Sequence, residues 1–209
     1  MSIAPDPNVG LSNTQRRTRT ALVEAARGLV AEGRTPTVEE AAQHASVSRT
    51  TAYRYFPNRT ALLVAAHPEV GQTTLLGEDP PSDPADRLDA VIALFVDQLL
   101  EVEPQQRTML RVSLDPDVDE ESRSALPLRQ GRGIRWIGEA LEPLRDRMSE
   151  QEIHRLVLAI RSATGIEALV WLTDVAGLSR AEAAELMRWS ARSLLHAALS
   201  AEPPPVAPG

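Results

Sequence analysis

The chain has 209 residues, a formal net charge of −7, no cysteine, 43% hydrophobic residues and 24% charged residues. This composition is typical of a globular protein rather than of a disordered chain. Without cysteine the protein forms no disulfide, iron–sulfur cluster, thiolate zinc site or cysteine nucleophile. All 22 basic residues are arginine, so a Walker A lysine, a lysine Schiff base and a Ser-x-x-Lys hydrolase are excluded as well.

No apolar run approaches the ~18 residues of a membrane-spanning helix, and the N-terminal segment lacks the apolar region of a signal peptide. We therefore expect a soluble, cytoplasmic protein without a membrane partner. The histidines form no H-x-x-x-H or H-E-x-x-H pattern, and no G-x-S-x-G is present. The sequence thus predicts no metal site, no cofactor and no catalytic residue.

Apolar residues recur with a helical period of 3.6 between prolines that punctuate the chain, which predicts an all-α fold of about nine helices. After a disordered tail over residues 1–13, the first helix is expected at about 14–32. Thr37 and Glu40 form a capping box that starts a second helix, Ser48 caps a third, and Asn58 caps a fourth. Short helices joined by a tight turn predict a helix-turn-helix domain over residues 14–66.

The remaining helices are expected to form a second domain over residues 67–200, followed by a disordered tail over residues 201–209. Its predicted helices are 84–102, 105–114, 126–141, 149–176 and 179–198. We expect the helix at 149–176 to be continuous and central, because its apolar residues lie on almost every side. Ser149 and Ser179 each begin a capping box with a glutamate three residues on.

Residues 44–60 read HASVSRTTAYRYFPNRT and contain three arginines, three aromatic residues and no acidic residue. On a helix that begins after Ser48, Ala52 and Phe56 point inward while the arginines, threonines and tyrosines share an exposed face. Arginine suits guanine O6 and N7, the threonine methyl suits the thymine methyl, and hydroxyls suit phosphate oxygens. A basic helix with this pattern is also common as a merely solvated surface, so composition alone leaves both interpretations open.

Residues 47–63, VSRTTAYRYFPNRTALL, resemble the helix-turn-helix signature of the tetracycline-repressor (TetR) family, and the similarity covers about residues 14–66. It implies an N-terminal DNA-binding domain, a C-terminal bundle for ligand binding and dimerisation, and a homodimeric regulator that is commonly a repressor. Such a dimer would bind a palindromic operator on double-stranded DNA, with recognition helices ~34–36 Å apart. The sequence departs from the family at Ser46, where glycine is usual in the turn, and we expect slight strain there.

The resemblance also implies roles for single residues. Arg49 and Thr50 are expected to face bases, and Arg54 to contact either bases or phosphates. The phosphate contacts are expected from Thr37, Ser48, Thr51, Tyr53, Tyr55 and Arg59. The helix N-terminus at Thr37 offers free N–H groups for one of them. Arg16, Arg17 and Arg19 would add phosphate or minor-groove contacts, or would form an ordinary solvated cluster.

In the second domain the resemblance implies a mostly apolar pocket for an unidentified small-molecule effector. The lining residues that we predict are Phe95, Leu99, Met109, Trp136, Ile160, Thr164, Glu167 and Trp171. Each of these positions is also compatible with an ordinary core or surface residue. Dimerisation is expected through the last two helices, and the residues of the final helix expected to face the partner are Met187, Ala191, Leu194, Leu195 and Ala198.

The best-supported function is a ligand-responsive repressor that a small molecule releases from its operator. The alternatives are a transcriptional activator or a ligand-independent regulator of the same fold, and, with less support, a helical enzyme or an adaptor. The charge distribution fits DNA binding better than the net charge does. Residues 1–60 contain eight arginines against five acidic residues, whereas the rest contain 14 against 24.

Overall fold

A computed structural model describes residues 12–67, 73–118 and 131–200, which are helical and contain no strand. The all-α class predicted from the sequence is therefore confirmed. The helices are α1 (Asn13–Ala31), α2 (Val38–His44), α3 (Arg49–Tyr55), α4 (Arg59–Ala66), α5 (Pro84–Glu101), α6 (Glu103–Ser113), α7 (Arg132–Ala140), α8 (Glu150–Thr164), α9 (Ile166–Val170) and α10 (Arg180–Ser200). A 3₁₀ helix spans Glu142–Asp146, and one turn of π-helix follows α9 at Trp171–Val175.

Side-chain caps start the helices where the sequence predicted them. Thr37 and Ser149 form complete capping boxes with Glu40 and Glu152, and Ser48 and Asn58 cap α3 and α4. These bonds satisfy N–H groups that have no partner within a helix, so short polar motifs fix where each helix begins. The predicted N-terminal tail over residues 1–13 is wrong at its last two residues, because Ser12 caps α1 and Asn13 begins it. Residues 1–11 and 201–209 of the predicted tails, and the predicted helix start at 126–130, lie outside the described residues.

The described residues form two compact units, of which the first contains residues 12–67 and 108–118. The core of this unit is formed by small and branched apolar residues of α1 to α4, namely Leu22, Val23, Ala26, Val38, Ala41, Ala42, Ala52, Phe56, Leu62 and Ala66. A second cluster joins Val30 and Leu63 to Met109 and Val112. The alanines let the short α2 and α3 pack closely on α1, which holds the helix-turn-helix in a fixed geometry.

The second unit contains residues 73–107 and 131–200. Helix α10 packs on α5 and α8, and α7 packs on α5 and α8. The residues Met187, Ala191 and Leu195, which the sequence suggested for a dimer interface, are at most 2% exposed. These three already belong to the core of the unit, so the expectation is wrong for them, whereas Leu194 and Ala198 are only partly buried.

An ion-pair network lies within this unit. The carboxylate of Glu103 is buried and receives bonds from Arg107 (2.6 Å) and Arg180 (2.5 Å). Burial alone would raise the pKa of Glu103, but the hydrogen bonds from Arg180 and Arg107 outweigh it and lower the pKa. Arg107 also donates to Asp174 and Thr173 of the π turn. The network ties α6, the π turn and α10 together through one buried carboxylate.

The helix predicted to run unbroken over 149–176 is interrupted at Gly165, which is a correction to the sequence analysis. Gly165 has an extended backbone (φ −92°, ψ −176°), and α8 ends before it. A Cβ at this position would overlap Nη1 of Arg161, so the arginine side chain occupies the space that a side chain at residue 165 would need. If α8, α9 and the π turn are counted as one interrupted helix, the described part of the chain contains nine helices, as predicted.

One stretch of the described chain, Glu150–Val175, is long and apolar enough to be a candidate membrane span, with a mean hydropathy of 1.5. The prediction that no apolar segment is long enough for a membrane-spanning helix is therefore wrong by length and composition. The stretch is nevertheless broken at Gly165, and its residues Ile153, Val157 and Ile160 are buried in the core. We assign it to the interior of the second unit, because a core helix has the same composition.

Candidate nucleic-acid interface

The turn between α2 and α3 fixes the position of the third helix. Ser46 has a φ of 55°, the left-handed conformation that usually requires glycine. Its N–H donates to Gln43, and the N–H of Val47 donates to Ala42 (2.9 Å), which together form a Schellman motif. This conformation confirms the slight backbone strain that the sequence predicts at Ser46. Helix α3 begins at Arg49, three residues after Ser46.

Helix α3 has one buried side and one exposed side. Ala52 and Phe56 are at most 2% exposed and anchor the helix in the core, as the sequence predicted. Arg49, Thr50, Tyr53 and Arg54 are exposed on the opposite side. A helix held rigidly by its inner side, with a basic and polar outer side, fits the major groove of DNA.

One carboxylate contacts two of the exposed side chains. Glu39 of α2 accepts a hydrogen bond from the Tyr53 hydroxyl at 2.7 Å, and Nη2 of Arg49 lies 2.9 Å from the same oxygen. The Arg49 guanidinium also lies 5.7 Å from the centre of the Tyr53 ring. The hydrogen bond from Tyr53 lowers the pKa of Glu39, and the same bond raises the pKa of Tyr53. Glu39, Arg49 and Tyr53 therefore form a connected charged triad, which we call the α2–α3 triad.

A second acidic residue contacts another arginine of the predicted interface. Nη2 of Arg59, at the start of α4, lies 3.1 Å from Oδ2 of Asp115. The sequence predicts Arg49 and Arg59 as DNA contacts but gives no sign of their carboxylate partners, Glu39 and Asp115. The window 44–60 contains no acid, and the partners lie at sequence separations that no local pattern reports.

The remaining predicted contacts are placed as follows. Ser48 donates its hydroxyl to Thr51 (2.8 Å) while it caps α3. The backbone N–H of Thr37 is bonded to Glu40, so the capping box already uses it. The Arg54 guanidinium lies 5.5 Å from the centre of the Tyr55 ring. Ser48 and Arg54 lie on the exposed surface, whereas Thr37, Thr51 and Tyr55 are partly buried.

The three arginines of α1 differ in their surroundings. Arg16 is bonded to Asn13, and Arg17 is exposed. Arg19 stacks on the ring of Phe56 at 5.4 Å, which places its charge at the base of α3. Arg19 is therefore the one of the three that the described structure connects directly to the recognition helix.

Five of the residues predicted to line an effector pocket lie in the second unit and are at least partly buried. They are Phe95, Leu99, Trp136, Ile160 and Thr164. The rings of Phe95 and Trp136 meet edge to face at 6.0 Å, and the Arg161 guanidinium lies 5.9 Å from the Phe95 ring centre.

The other three predicted lining residues are placed differently. Glu167 is exposed and bonds Arg161 at 3.1 Å. Trp171 is 59% exposed, and Met109 lies in the core cluster of the first unit. We therefore leave Met109 out of the pocket that we propose below. Within the described ranges, no three acidic or histidine residues are grouped as metal ligands would be.

The buried anchor and exposed basic side of α3 define a class, the helix-turn-helix DNA-binding proteins. Residues 22–66 match the family described as bacterial regulatory proteins, tetR family. This match confirms the resemblance noted in the sequence.

Two relatives are similar to the chain. The HTH-type transcriptional repressor LfrR of Mycolicibacterium smegmatis is 33% identical over 96 residues, which are 44% of this chain and 49% of that protein. The chain thus spans about half the length of this curated relative. A TetR transcriptional regulator from Rhodococcus sp. RHA1 has the same fold, with a TM-score of 0.58 at 22% identity, over 88% of this chain and 98% of that chain.

Proposed function

We propose that the chain is a sequence-specific DNA-binding transcriptional regulator, a repressor that a small molecule releases from a palindromic operator in the cytoplasm. The observation that carries this proposal is the pair of sides of α3. The exposed side presents Arg49, Thr50, Tyr53 and Arg54, while Ala52 and Phe56 hold the other side in the core. Such a helix reads bases in the major groove, while α4 and the N-terminus of α3 supply phosphate contacts. The similarity to LfrR, a transcriptional repressor by name, supports the direction of the regulation.

The first test is operator selection from a library of random duplexes with the full chain. We expect an enriched palindrome whose half-sites are about one helical turn apart. Affinity for the selected site should fall steeply with salt, because bound arginines release counterions from phosphates. Failure to enrich any sequence, together with no binding of random DNA at low salt, would contradict the proposal and favour an adaptor.

We propose that the regulator is a homodimer joined through α8 and α10. The supporting observation is the set of apolar side chains left exposed on these helices, Leu158, Leu186 and Trp189. Leu186 and Trp189 are three residues apart, so they share one side of α10. Exposed apolar residues on neighbouring helices are typical of an interface.

The dimer can be tested by replacing Trp189, which is 59% exposed, with glutamate. We expect Trp189→Glu to give a monomer in sedimentation or light scattering and to lose the palindromic operator, since a monomer reads only one half-site. Leu94→Glu is the matched control, because Leu94 is 47% exposed but lies on α5. If Trp189→Glu leaves the dimer intact, the proposed interface is wrong.

We also propose that the effector binds in the second unit beside Phe95 and Trp136. Aromatic rings that meet edge to face can hold an apolar ligand, and Arg161 and Glu167 supply a polar side. The ligand can favour the DNA-free conformation only by its difference in affinity between the two states. We expect Phe95→Ala to abolish release of the operator by an effector found in a compound screen, with operator affinity unchanged when effector is absent.

A further inference from the structure

We infer that Glu39 is an internal competitor of DNA phosphate, and that it makes the protein selective by cancelling part of its general affinity for DNA. This inference rests on the proposed function, because it assigns a role within the proposed interface. It concerns the α2–α3 triad, in which one carboxylate oxygen contacts both Tyr53 and Arg49.

The triad occupies a hydrogen-bond donor of Tyr53 and a donor of Arg49. A tyrosine hydroxyl has a single proton, and here that proton goes to Glu39. A phosphate oxygen can only accept hydrogen bonds, so it must take this proton away from Glu39 before Tyr53 can bind the backbone. The Nη2 group of Arg49 is likewise already paired with a carboxylate. For Tyr53, contact with phosphate therefore exchanges one anionic acceptor for another and gains little, and for Arg49 it brings a second anion beside Glu39.

For Arg49, contact with a base leaves the ion pair with Glu39 in place. Arg49 presents several N–H donors, and Glu39 pairs with it through one nitrogen. The side chain of Arg49 is 73% exposed, so its other donors are available to guanine O6 and N7. A guanine brings no full negative charge next to Glu39, whereas a phosphate does. Glu39 therefore opposes backbone contacts at this position more strongly than it opposes base contacts, and this difference favours the operator over random sequence.

The test compares Glu39→Gln with wild type on two duplexes, the selected operator and a scrambled sequence of equal length. The glutamine keeps an acceptor for Tyr53 and removes the charge. We expect affinity for the scrambled duplex to rise about fivefold with a salt slope steeper by about one, and affinity for the operator to rise less than about twofold. The ratio of the two affinities should therefore fall severalfold.

Two further variants show whether the effect acts through the triad. Glu24→Gln removes the same charge from an exposed position on α1 in the same unit, on a helix outside the α2–α3 triad, and should leave the affinity ratio unchanged. In an Arg49→Ala/Tyr53→Phe background, Glu39→Gln should no longer change the ratio or the salt slope.

The inference is overturned if Glu39→Gln strengthens both duplexes by the same factor, or if Glu24→Gln lowers the ratio equally. Its failure is distinguishable from failure of the proposed function. If wild type selects no operator, the proposed function fails, whereas an unchanged ratio in Glu39→Gln with normal wild-type selection removes only the role of Glu39.

Discussion

Because Gly165 has no side chain, the Arg161 side chain fills the space beside it. A Cβ at residue 165 would overlap Nη1 of Arg161 and would lie 2.5 Å from the Glu167 carboxylate. The guanidinium in turn bonds Glu167 at 3.1 Å and faces the Phe95 ring. The half-buried position of the arginine side chain therefore depends on the missing side chain at residue 165.

Gly165→Ala should destabilise the protein by about 1–2 kcal/mol, because the added methyl displaces Arg161 from Glu167 and Phe95. Thermal or denaturant unfolding measures this cost. The double variant Arg161→Ala/Gly165→Ala is the control, since it removes the nearest group that the methyl meets and leaves only the Glu167 carboxylate. In the Arg161→Ala background the alanine should cost clearly less, and an undiminished cost there would show that the two residues are not coupled.

Ser46→Gly should stabilise the protein by about 0.5–1 kcal/mol, because glycine adopts the left-handed conformation without the strain that serine has there. The free energy of unfolding in urea gives the measurement. Gly33→Ala is the matched reverse change, since Gly33 has a φ of +80° and no atom within 4 Å of an added Cβ. It should destabilise the protein through backbone strain alone. A loss of stability in Ser46→Gly would be inconsistent with the Schellman turn described above.

Arg49→Ala and Arg59→Ala should weaken DNA binding in different ways. Arg49→Ala should reduce discrimination at one base position by ~1–3 kcal/mol, because Arg49 faces base edges in the proposed interface. Arg59→Ala should weaken matched and mismatched duplexes alike and reduce the salt slope by about one, because it removes the phosphate contact that we propose for Arg59. Titrations of both variants against operator and point-mismatched duplexes measure this. Equal effects of both variants on discrimination would contradict these roles.

The stability of the second unit should depend on pH through Asp174. Hydrogen bonds from Arg107 and Thr173 lower the pKa of Asp174 from 3.8 to about 2. A lowered pKa in the folded state stabilises the protein above pH 3.8, and that contribution disappears as the pH falls toward 2.

Melting temperatures measured from pH 7 down to pH 2 test this dependence. Wild type should exceed Asp174→Asn in Tm above about pH 4, and the two curves should converge toward pH 2. Parallel curves over this range would show that the Arg107–Asp174 pair contributes no proton-linked stability.

The sequence by itself determined the features that depend on neighbours along the chain. Thr37, Ser48 and Ser149 cap helices where their motifs predicted, because a cap bonds N–H groups only two or three residues away. The inward Ala52 and Phe56 and the strained Ser46 were also predicted, since helical period and turn chemistry are local. These local signals were sufficient to define the fold class and the exposed side of α3.

Only the tertiary structure decided which groups meet from distant parts of the chain. The pairing of Arg59 with Asp115, the burial of Met187 and Leu195 within the subunit, and the break at Gly165 had no local signature. An isolated glycine is tolerated in a helical pattern, so periodicity continued through residue 165. The Arg161 side chain lies against this glycine, and where a long side chain lies depends on packing rather than on sequence spacing.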